Sequence, residues 1–112
     1  MLPFFAGRFH SLNPTYGQEI LTQKELQQIK SPVEHLKKFY VDTAISGNKQ
    51  ALICANEFFG REHLLFGTDM PYGAPAGERF LCMSMEDIEN MPISESDKCK
   101  IFESNARSLL NL

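Results

Sequence analysis

No apolar run in these 112 residues approaches the roughly 18 that a membrane-spanning helix needs. The opening "MLPFFAGRF" lacks a basic start and breaks its short apolar part with Pro3 and Gly7, so no secretory signal is read there. A basic excess is also missing. The net charge is −3 and the pI near 5.6, which argues against nucleic acid or an anionic membrane surface as a partner. Cysteine is scarce: Cys54, Cys82 and Cys99 are three in number. They form no C-x-x-C and no cluster with histidine, so neither a disulfide frame nor a structural zinc site is expected. Reduced, mostly buried thiols in a cytoplasmic protein are expected instead. His10, His35 and His63 have no spacing that pairs them as metal ligands. Repeats, low-complexity tracts and linkers are absent too, and a hydrophobic content of 43% with 22% charged residues is that of a globular chain of one-domain length.

The middle of the sequence carries the clearest organisation. "FYVDTA" (39–44) is aromatic and β-branched, and "ISGN" breaks it. Ala51, Leu52, Ala55, Phe58 and Phe59 then recur at spacings of three and four, which predicts a helix that Gly60 stops. "HLLFGTD" (63–69) is a second short apolar strand. Strand, helix and strand make a βαβ unit, whose two strands run parallel. Flanking helices are expected on both sides. One starts near Pro3 within residues 1–12, and another covers 22–38 with an interruption at Lys30-Ser31 imposed by Pro32. A third covers 84–91, with Ser84 as its cap and Met85, Ile88 and Met91 as its stripe. A fourth covers 94–112, capped by Ser94 and burying Ile101, Phe102, Ala106, Leu109 and Leu110.

"LLFGTDMPYG" (64–73) raises the functional question, because a bare carboxylate, Asp69, follows where an apolar strand leaves the core. Asp with Pro-x-Gly is ordinary turn chemistry. The competing reading is a catalytic acid at the carboxyl end of a parallel strand, where α/β folds place their sites. Both strands end alike, in Val41-Asp42-Thr43 and Gly67-Thr68-Asp69, so Asp42 and Asp69 are expected on one rim. Asp42 is read as ordering its loop, and Thr68 and Pro71 as shaping theirs. His63, at a strand start, is expected at the opposite, stabilising end.

"FYVDTA…ALICANEFFGREHLLFGTDMPYG", followed by "IENMPISESDKCKIFESNARSLLNL", resembles the C-terminal part of the amidohydrolase-2 group of the amidohydrolase superfamily. That branch includes aminocarboxymuconate-semialdehyde decarboxylase and related aromatic-acid decarboxylases and hydrolases. The opening "MLPFFAGRF" is similar to the segment after the group's sixth barrel strand, so the resemblance spans essentially the whole chain. It implies a metal-dependent (β/α)8 TIM barrel, of which residues 1–112 are a single partial domain: the α/β C-terminal segment, one βαβ unit with flanking helices. It implies a small carboxylated substrate, and a divalent metal, usually zinc, in the full-length fold. Of the family's metal ligands only the aspartate after the eighth strand has a counterpart, Asp69, which the resemblance makes both a metal ligand and a proton-exchanging catalytic group. Arg8 matches the arginine that binds the substrate carboxylate in decarboxylase members, often from a neighbouring subunit. The sequence departs from the family by beginning too late for the remaining ligands. The isolated chain is therefore expected to hold no metal and to be inactive.

Two other readings stay open. The chain could fold alone as a non-catalytic α/β module that self-associates as a homo-oligomer to cover its strand edges, or serve as one half of a split barrel.

Overall fold

A computed structural model describes residues 2–11, 32–73 and 75–112, the side chains of 9–11 excepted, and the chain divides into two units, Met1–Phe39 and Tyr40–Leu112. In the first unit, helix α1 spans Leu2–Ser11. Pro3 sits in its first turn, where a missing N–H costs nothing. A one-turn helix, α2 (Pro32–Leu36), packs on α1 and buries Val33. The sequence predicts an interruption at Lys30-Ser31 imposed by Pro32; those two residues lie outside the described ones, and Pro32 opens a helix. Its ring presets φ for the first helical position. The remainder of that expected helix, 22–31, lies outside the described residues.

The second unit is built on the expected βαβ arrangement. Strand β1 (Val41–Asp42) pairs in parallel with β2 (Leu64–Leu65), Val41 opposite Leu64 and Asp42 opposite Leu65. Helix α3 (Lys49–Phe59) connects them. The Asn48 side chain caps its start by accepting from the Ala51 N–H at 3.0 Å. At its end Gly60, at φ +85°, donates its N–H to the Asn56 carbonyl. Leu52 and Phe59 turn inward from α3 onto Leu64 and the rest of the core. A tight 3₁₀ turn, Arg61–His63, leads into β2.

Both strands are shorter than the sequence predicts. Phe39 and Tyr40 are exposed and stay outside the sheet. Beyond Asp42 the backbone of β1 turns away: Ala44 N–H donates to Asp42 Oδ1 at 3.1 Å and Ile45 N–H to the Thr43 carbonyl at 2.8 Å. The loop-ordering role read for Asp42 is thus seen directly.

Helix α4 runs from Glu78 to Glu89, starting well before the expected cap. Ser84 is a buried mid-helix residue whose hydroxyl has no partner among the described residues. The preceding "ERFLCM" extends the helix because it is made of residues that tolerate one. The cysteine expectation also needs correcting, since Cys54 is half-buried and Cys82 and Cys99 are exposed. Each exposed thiol lies two positions from buried residues of its own helix, Ser84 for Cys82 and both Asp97 and Ile101 for Cys99. That spacing puts it on the outward face.

The C-terminal helical segment comprises α5 (Glu95–Cys99), a π-helical turn (Lys100–Ser104) and α6 (Asn105–Leu110). Ser94 caps it as expected, its hydroxyl accepting from the Asp97 N–H. Of the expected stripe Ile101 is buried and Phe102 and Ala106 are half-buried, while Leu109 and Leu110 are 41% and 62% exposed, and Asp97 and Asn105 are buried in their place. The π-helical turn is the reason. Asn105 N–H reaches back to the Lys100 carbonyl, and the Ile101 carbonyl accepts instead from Phe66 N–H of the β2 exit at 3.0 Å. Asn105 Nδ2 meanwhile donates to the carbonyls of Arg61 and Leu64, at 2.7 and 2.8 Å. The edge of β2 away from β1 is therefore occupied by this helix. Phe66 against Phe102, with ring centroids 5.3 Å apart, closes the contact.

Charges reinforce the same junction. The Asp97 carboxylate accepts from Ser94 Oγ at 2.7 Å and from Arg61 at 2.5 Å, and Lys100 lies between Asp97 and Glu62. The Ser94 hydroxyl, opposed by burial and helped by Arg61, holds the Asp97 carboxyl below its ordinary value. A carboxyl lowered in the folded state stabilises the fold above the unfolded value, about 3.9, and loses that contribution as pH falls through the folded one. The denaturant midpoint should therefore hold steady as acid is added down to about pH 4 and fall below it. Asp97→Asn should flatten that fall, and an unchanged acid limb in the variant would show that Asp97 is not its source.

Candidate functional site

The site to consider is the rim at the carboxyl ends of the two strands. Their parallel pairing brings Asp42 and Thr43 from β1 to the same side as Gly67, Thr68 and Asp69 from β2. Asp69 is exposed, past the last core residue of its strand. Its backbone φ is +60°, a conformation uncommon for a non-glycine residue though less so for aspartate. Such residues collect at functional sites, where the surroundings hold them.

Those surroundings are visible. Met70 N–H donates to Thr68 Oγ1 at 3.3 Å and Tyr72 N–H to the Asp69 carbonyl at 2.8 Å, so the turn closes on itself around Asp69. Gly77, at φ +87° just before α4, supports the turn from behind. A Cβ there would lie 3.2 Å from both the Met70 Cα and the Tyr72 carbonyl. The Asp69 carboxylate itself accepts no hydrogen bond and pairs with no cation among the described residues. It is a positioned, unspent anion with Met70 and Tyr72 exposed beside it.

Arg8 lies on α1 in the first unit, on the exposed side of the helix. Asp69 belongs to the second unit. His35 is an exposed residue of α2. His63 precedes β2 and stacks on Tyr40 with centroids 4.6 Å apart, at the strand ends opposite the rim. The side chain of His10 lies outside the described residues. No group of three or more His, Cys, Asp or Glu that could hold a metal occurs among the described residues. A zinc site takes three or four protein ligands, so Asp69 alone does not fit one. No helix among the described residues is long and apolar enough to cross a membrane.

A parallel strand pair joined by a helix is the βαβ element of α/β folds. The Amidohydrolase family profile matches residues 12–112, and the chain belongs to that family. No protein of curated function matches the sequence. Among solved structures, the IDCase of Metarhizium anisopliae in apo form aligns at 26% identity with a TM-score of 0.74, over 98% of this chain and 31% of that one. The 2,6-dihydroxybenzoate decarboxylase of Rhizobium aligns at 23% identity with a TM-score of 0.67, over 98% and 31%. A 2,6-dihydroxybenzoate decarboxylase complexed with 2,6-dihydroxybenzoate aligns at 24% with a TM-score of 0.68, over 99% and 32%. These are TIM-barrel amidohydrolases, and this chain spans about a third of their length. The family and the α/β barrel class implied by the sequence are both borne out.

Two residues escaped the sequence reading. Thr43, 1% exposed, bonds to Gly67 across the rim. Asn105 pins the C-terminal helix to β2. A polar residue at the end of an apolar strand was the available signal for the first. For the second, the sequence offers none beyond an asparagine inside a helical stretch.

Proposed function

We propose that this chain provides the carboxyl-terminal rim of an amidohydrolase-type barrel acting on a small carboxylated molecule by hydrolysis or decarboxylation. The single observation behind this is Asp69, an exposed carboxylate without a partner among the described residues, held at positive φ at the end of a parallel strand. Its Oδ atoms could take up a proton in one step and return it in the next, as a positioned carboxylate does. Arg8 is proposed as the group that receives the substrate carboxylate, for which a planar guanidinium fork is suited. Divalent-metal dependence and a cytoplasmic setting, the latter in keeping with three unpaired thiols, belong to the same proposal. The described residues contribute one carboxylate, Asp69, to any such metal.

A chimera tests the reading. The 112 residues replace the matching third of the Rhizobium 2,6-dihydroxybenzoate decarboxylase, and turnover of 2,6-dihydroxybenzoate is measured in the folded product. Measurable turnover is expected. A soluble, cooperatively folding chimera without any would overturn the proposal. Sedimentation of the unfused chain addresses the self-associating module, whose signature is a dimer or larger species at low micromolar concentration.

A further inference from the structure

We propose that Thr43 is the positioning residue for Asp69. This rests on the reading of Asp69 as the working carboxylate and adds what holds it in place. Thr43 is 1% exposed and cannot itself meet a substrate. Its hydroxyl donates to the Gly67 carbonyl at 2.9 Å and accepts from the Gly67 N–H at 3.1 Å. A hydroxyl has one donor and two acceptor lone pairs, so one oxygen can make both bonds at once.

The reason a side chain is needed lies in the path of β1. Ladder pairing reaches Thr43, whose N–H donates to the Leu65 carbonyl at 3.0 Å. The next two N–H groups turn back onto the Asp42 side chain and the Thr43 carbonyl. No β1 backbone is left to face Gly67, and the Thr43 hydroxyl takes its place as one further rung. Asp42 grips the same residue sterically: a Cβ on Gly67 would lie 3.0 Å from the Asp42 Cβ. Gly67 is thus held by hydrogen bonds and by contact, two residues before Asp69. The Thr68 hydroxyl and the Asp69 carbonyl fasten the turn on the far side. Asp69 stands between two fixed points, and the one on the strand side depends on Thr43.

The 112-residue chain itself serves for the test, by amide hydrogen exchange and NMR. Thr43→Val keeps the shape and removes both bonds. Exchange at Gly67 should accelerate by about tenfold or more, and the Asp69, Met70 and Tyr72 amide resonances should move. The amides of Leu52 and Ile88, in the core helices, should keep their protection. Thr43→Ser should restore Gly67 protection to within about threefold of the parent. Gly67→Ala, which leaves the hydroxyl in place, should displace the same turn resonances. Unchanged Gly67 exchange in Thr43→Val overturns the proposal, as does a failure of serine to rescue it. A uniform acceleration that includes Leu52 and Ile88 overturns it as well, because Thr43 would then be a general stabiliser. If Thr43→Val does not fold, Thr43→Ser decides: Gly67 protection lost despite the retained hydroxyl refutes the role. Failure of the Asp69 reading shows elsewhere, as undiminished turnover of an Asp69→Asn chimera, and leaves the exchange result standing.

Discussion

Asp69→Asn in the barrel chimera should lower turnover by about 10²–10⁴-fold, the range lost when a positioned acid–base group is removed. The fold should scarcely register the change. Asp69 is exposed and its carboxylate holds no hydrogen bond among the described residues, so no buried partner is orphaned. Asparagine also accepts positive φ readily, and the backbone at φ +60° can stay where it is. A stability change under about 1 kcal/mol is expected, as for surface substitutions away from buried networks. The amide preserves the outline of the side chain, yet it carries no negative charge and takes up no proton at neutral pH. Turnover and a denaturant midpoint on the same preparation decide the matter. A variant that unfolds easily while retaining most of its turnover would make Asp69 a turn residue and nothing more.

Asn105→Ala should destabilise the chain by about 2–4 kcal/mol, a large share of the 5–15 kcal/mol that holds a typical domain. The Asn105 amide donates to two backbone carbonyls, Arg61 and Leu64, on the segment entering β2. Removing it leaves the carbonyl of fully buried Leu64 without this donor, at about 1–3 kcal/mol, and takes one of two donors from the Arg61 carbonyl, which keeps the Leu64 N–H. Losing the bond to Arg61 adds about 0.5–1.5 kcal/mol. Asn105→Asp separates this account from a simple cavity effect. It preserves the volume but sets an acceptor against two acceptors, so it should destabilise at neutral pH at least as much as alanine. A denaturant midpoint for Asn105→Asp close to the parent's would mean the two carbonyls are not what the residue serves.

The βαβ unit was legible because its signals are local: a β-branched run, a capped helix with a regular apolar face, and a glycine stop. Asp69 was legible for a similar reason, since the boundary between Phe66 and the "GTDMPYG" turn can be read along the chain. The α4 start was not. Ser84 reads as a cap from sequence spacing, but burial and the helix-tolerant residues before it place it mid-helix. The C-terminal face was misread because a regular helical repeat was projected through Lys100–Ser104, where the structure is π-helical. Thr43 was passed over because its partner, Gly67, lies 24 residues away. That pairing exists only once the two strands are side by side.

The π-helical turn also lets the C-terminal segment carry one residue more than a regular α-helix with the same two ends would. In a regular α-helix one residue more or less rotates everything after it by about 100° around the helix axis. Asp97 and Asn105 lie on either side of that turn, and both grip the stretch from Arg61 to Leu64. Deleting one residue from 100–104 would let the helix revert to a regular α-helix, with better local hydrogen bonding and nearly unchanged propensity. Asp97 and Asn105 would then stand seven apart in a regular α-helix, within about 20° of one face, and both grips would still point the same way. The wider turn thus absorbs one extra residue without turning either grip away from Arg61 and Leu64, while the outward-facing side chains of the same turn stay free to vary.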